Sequence, residues 1–73
     1  METYETTIGP TKHTFYKDVT NNMLDILLNN NINKNDSNTV LIEQLAKENG
    51  IKLERFQSID IFSRYFFKKG KII

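Results

Sequence analysis

Residues 42–61 constrain this chain more than any other stretch. An amphipathic run reaches Ala46, Gly50 and Ile51 interrupt it, and Phe56 and Ile59 resume it. A small residue lets two helices cross closely, a glycine takes a left-handed turn, and apolar residues lock the second helix onto the first. The spacing predicts two helices meeting at a tight turn.

The chain has 73 residues, enough for one domain. Such a domain buries only about 60% of the surface its unfolded chain exposes. Its core rarely supplies more than roughly 3–5 kcal/mol. With no cysteine and one histidine, neither a disulfide nor a zinc site is expected to add to that. Tight helix packing and self-association remain. The C-terminal half carries more large apolar residues than so small a monomer hides easily, so a homodimer is expected.

The formal net charge of +1 conceals an asymmetry. Residues 1–39 hold three Lys against five acids, net −2, and residues 40–73 hold seven Lys and Arg against four acids, net +3. A mildly basic C-terminal half is compatible with nucleic acid, and equally with ordinary solvated helix faces. No apolar run approaches the roughly 20 residues of a membrane span. The acidic start, Met1-Glu2-Thr3-Tyr4-Glu5, does not resemble a secretory signal. A cytoplasmic location is the expectation. The abundance of Asn, Lys and Ile points to an AT-rich genome, as in low-GC bacteria and their phages and plasmids.

Along the chain, residues 1–10 are polar and threonine-rich and end in Ile8-Gly9-Pro10, which reads as an extended or disordered arm with a turn. Pro10 favours a helix start just beyond it, capped by Thr11 or Thr14. Phe15, Val19, Met23, Ile26 and Leu27 fall at helical spacing, which predicts a helix over 12–30. Residues 29–38 are a polar linker whose Asn, Asp and Ser side chains compete with helix ladders. They lack the central glycine and the glutamate of a calcium loop. Ser37 or Asn38 caps the next helix, with Val40, Leu41, Leu45 and Ala46 on its inner face. Gly50 is placed as a left-handed C′ residue and Ile51 as its apolar partner. The last helix is expected over 53–68, with Phe56, Ile59, Phe62 and Phe66 inward and Gly70 ending it. The fold class expected is all-α: a three-helix domain over 11–73 behind an N-terminal arm.

Catalysis has little to build on. There is no cysteine nucleophile, glycine-rich phosphate loop or metal-ligand cluster, and His13, at the expected helix start, reads as a surface or capping residue. No enzyme activity, cofactor or metal is expected.

On Ala46, Gly50, Ile51, Phe56 and Ile59, the segment resembles the helix-turn-helix of small bacterial and phage DNA-binding proteins, over about 20 of the chain's residues. The resemblance implies a supporting helix over 42–49 and a recognition helix over 53–61. Lys52, Glu54, Arg55, Gln57 and Ser58 would then face duplex DNA, with Arg55 on guanine and Gln57 on adenine. Lys47, Lys52 and Arg64 would touch phosphates. The same helix supports another reading. Glu54 and Asp60 oppose phosphate, and Ile61, Phe62, Tyr65, Phe66 and Phe67 supply an apolar surface for a homodimer or a protein partner. Two functions follow: a DNA-binding regulator of phage, plasmid or low-GC bacterial type, and a non-enzymatic module that binds a host or rival protein.

Overall fold

The computed structural model describes residues 1–73. An antiparallel hairpin of β1 (Thr3–Ile8) and β2 (Thr11–Tyr16) leads directly into α1 (Lys17–Asn29). A single 3₁₀ turn (Lys34–Asp36), α2 (Thr39–Glu48) and α3 (Arg55–Phe66) follow. The fold is therefore α+β, and the all-α expectation is overturned. The helix expected over 12–30 starts only at Lys17, and the arm expected over 1–10 is the first half of the hairpin.

The hairpin follows from its residues. Thr, Ile, Tyr and Phe fit a pleated strand, and both strands alternate: Tyr4, Thr6 and Ile8 point inward opposite Phe15, His13 and Thr11. Gly9-Pro10 forms a two-residue loop between Ile8 and Thr11. Gly9 takes φ +60° at the first central position, as a type II′ turn requires, and the fixed negative φ of Pro10 suits the second. The helical spacing of Phe15 and Val19 was a coincidence across the strand–helix junction. There the backbone N–H of Lys17, which opens α1, donates to the carbonyl of Glu2 at 3.0 Å, so the strand satisfies one of the helix's free donors.

Each helix ends in the same way. The left-handed residue is Asn31 after α1, Gly50 after α2 and Lys68 after α3. In each case the N–H of that residue and the next return to carbonyls of the last turn, the Schellman pattern. Gly50 and Ile51 sit as expected, with the Ile51 N–H 2.8 Å from the carbonyl of Ala46. The last helix covers Arg55–Phe66 rather than 53–68, and Lys68 rather than Gly70 is the left-handed residue that ends it. Asn38 caps α2 by accepting from the N–H of Leu41 at 2.9 Å.

The core lies between the three helices and comprises Met23, Leu24 and Leu27 of α1, Ile42, Leu45 and Ala46 of α2, and Ile61 of α3. The faces are rotated from those expected. Thr20 and Leu24 are inside α1, and Val40 of α2 is 70% exposed. The largest rotation is in α3, which turns Gln57, Ser58, Asp60 and Ile61 inward and leaves Phe56 about half exposed.

Candidate interaction surface

The inward face of α3 is polar because the hairpin brings partners to it. Asp60 accepts from the Tyr4 hydroxyl at 2.5 Å, from Thr6 Oγ1 at 3.1 Å and from Arg64 Nε at 2.9 Å. The Tyr4 oxygen also lies 2.7 Å from Thr20 Oγ1, which accepts from Gln57 Nε2 at 3.1 Å. The Arg64 guanidinium lies 5.2 Å from the Tyr4 ring centroid. One network thus joins β1, α1 and α3. Burial, and then the hydrogen bond to Asp60, push the Tyr4 phenol up to about 12. Beside this network, His13 stacks on Phe15 and Phe56, with centroids 5.7 and 4.7 Å away. It is an inward strand residue, not the surface or capping group expected, and its buried Nε2 has no hydrogen-bond partner.

This arrangement redistributes the residues assigned to DNA. Lys47, Lys52, Glu54 and Arg55 are exposed around the α2–α3 connection. Gln57 and Ser58 are 3% and 0% exposed, so neither reaches a base edge in this fold. Arg64 is largely covered and already paired with Asp60. The connection itself, from Asn49 to Glu54, spans six residues and delays α3 to Arg55.

The residues assigned to a protein interface divide as well. Ile61 is fully buried in the protein's own core. Tyr65 packs against that core and donates its hydroxyl to the carbonyl of Ile32. Phe62 also packs against the core and Phe66 is part-buried, while Phe67 is exposed; the three rings form a contiguous aromatic ridge. Their centroids are 5.5 Å apart for Phe62–Phe66 and 5.1 Å for Phe66–Phe67, the latter edge-on. Phe67 is 65% exposed, and Lys34 Nζ stands 6.0 Å from the Phe66 centroid. Lys34 escaped the sequence reading because nothing local links the polar linker to the end of α3.

No three His, Asp or Glu side chains converge as a metal-binding group. No helix is long and apolar enough to cross a membrane. No family model, curated protein or solved structure matches the chain.

Proposed function

We propose that this protein is a small non-enzymatic binding module that contacts another protein chain, a second copy or a foreign partner, through the ridge Phe62–Phe66–Phe67. The carrying observation is the orientation of α3. Its hydrogen-bonding side chains at Gln57, Ser58 and Asp60 are directed into the fold, while Phe67 is exposed at its end and continues into the part-buried rings of Phe66 and Phe62. A helix in that attitude offers few groups to base edges and a compact apolar patch to a protein. Aromatic side chains are the usual anchors of protein interfaces.

The test is site-directed photo-crosslinking in the cells that encode the protein. A photoreactive residue at position 67 should give a discrete protein adduct, absent from the exposed position 5 on the outer face of the hairpin. Equal yields from both positions, or adducts to nucleic acid alone, would overturn the reading.

A second reading, DNA binding, rests on Lys47, Lys52 and Arg55, which flank the α2–α3 connection and are all exposed. Glu48 and Glu54 lie among them and offset part of that charge. This reading requires retention of mixed duplex DNA at low salt that weakens steeply as salt rises. Absence of binding near about 50 mM salt removes it.

A further inference from the structure

A cavity of about 570 Å³ opens between α1, the 3₁₀ turn and the C-terminal end of α3. Its size is that of a small-molecule site, commonly about 300–1,000 Å³. The floor is apolar: Leu24 and Leu28 of α1, Ile32 beyond it, and the ring of Tyr65. The Tyr65 hydroxyl is occupied by the carbonyl of Ile32 and adds no free polar group.

The rim is cationic. Lys34, Arg64, Lys68 and Lys71 line the cavity, and no Asp or Glu does. Two of these charges are compensated from outside it, Lys71 by Asp25 at 2.8 Å and Arg64 by Asp60 at 2.9 Å. The Arg64 guanidinium also lies against the Tyr4 ring, which does not line the cavity. Lys34 and Lys68 have no carboxylate within ion-pair distance. Two of the four cationic residues that line the cavity therefore have no carboxylate partner.

Backbone geometry builds this opening. The left-handed residues Asn31 and Lys68 turn the chain at the ends of α1 and α3, and both turns border the cavity. The C-terminal tail closes one side with Gly70 and Lys71. It is held by Asn21 of α1, whose Nδ2 donates to the Ile72 carbonyl at 3.0 Å and whose Oδ1 accepts from the Ile72 N–H at 2.7 Å. A side-chain amide here pairs with backbone as a neighbouring strand would.

We propose that this cavity binds a small anionic amphiphile. An apolar chain or ring lies on Leu24, Leu28, Ile32 and Tyr65, and one carboxylate or phosphate is held by Lys34 and Lys68. A compact anion at the rim relieves repulsion among the cations, and the floor accepts the apolar body. Phe62, Phe66 and Phe67 do not line the cavity, although Lys34 borders both it and the Phe66 ring.

The test titrates decanoate, decyl phosphate and decanol below their micelle concentrations into the isotopically labelled protein, read by amide chemical shifts. The two anions should shift Leu28, Ile32, Asn33, Gly70 and Lys71 saturably below about 1 mM, while Val40 and Glu5 stay in place. Decanol should bind at least about tenfold more weakly. The double variant Lys34→Gln/Lys68→Gln, at two exposed positions, should lower decanoate affinity to that of decanol without changing the unfolding temperature. Phe67→Ala should leave decanoate binding intact, which separates this site from the ridge. The tighter of the two anions assigns the head group. Decanol binding as tightly as decanoate, or no saturable shift at the cavity amides, would overturn the proposal.

Discussion

The helix α3 is held by two unlike contacts. Toward α1 and α2 it offers Ile61, fully buried among Met23, Leu27 and Ile42. Toward the hairpin it offers Asp60 and Gln57, whose bonds run through Tyr4, Thr6 and Thr20. The apolar contact draws on water release, about 1.5–3 kcal/mol for each fully buried aliphatic side chain, and tolerates small shifts. The polar contact adds only about 0.5–1.5 kcal/mol net for each bond, but a missing partner leaves a desolvated group that costs more. The apolar layer should therefore set how stable the protein is. The polar layer should set where the hairpin docks and which side of α3 faces out.

The largest effect expected is that of Leu27→Ala in the apolar layer. It should cost about 2–5 kcal/mol, comparable with the whole stability of a domain this size, and leave much of the protein unfolded by circular dichroism at room temperature. Asp60→Ala comes next, at about 1–3 kcal/mol, because Tyr4, Thr6 and Arg64 lose their common acceptor. Its loss should be local, with amide exchange rising in β1 and β2 before the α1–α2 core. Uniform acceleration across the chain would break the distinction between the two layers. Gly50→Ala should cost about 1 kcal/mol in chemical denaturation, because φ +69° is strained for any side chain. Lys68→Gly, at the equivalent position after α3, should stabilise by up to about 1 kcal/mol.

Alkali separates the layers without mutation. The fold favours the neutral Tyr4 phenol, raised to about 12 from an ordinary 10. Its stabilising contribution is complete below about pH 10 and is lost as pH rises toward 12. Ultraviolet absorption should show a tyrosine ionisation step near pH 12, and Tyr4→Phe should remove it. Absence of that late step would place Tyr4 outside the network.

Local patterns were legible wherever neighbours in sequence carry them. The two helices about Gly50 could be read from residues 42–61, and the cap of α2 was narrowed to Ser37 or Asn38, of which Asn38 serves. The hairpin was missed: residues 1–10 were expected as an arm and 12–30 as a helix, because Phe15 and Val19 imitate helical spacing across the strand–helix junction. Burial divides the residues that were expected at a protein interface. Phe62, Phe66 and Phe67 were marked as interface, while Ile61 and Tyr65 turned out to serve the protein's own core and the Ile32 carbonyl. Gln57 and Ser58 were assigned outward because polar residues on an amphipathic helix normally face water.

The sequence by itself determined the three helices, their turn at Gly50 and the absence of any apolar membrane-spanning run, all of which depend on near-neighbour spacing and composition. Only the tertiary structure decided which way α3 faces. Thr20 and Gln57 lie 37 positions apart, and Tyr4 and Asp60 lie 56 apart. Such pairings form only when α1 and the hairpin close on α3. Once they do, burying a satisfied carboxylate inward leaves the aromatic ridge at the surface.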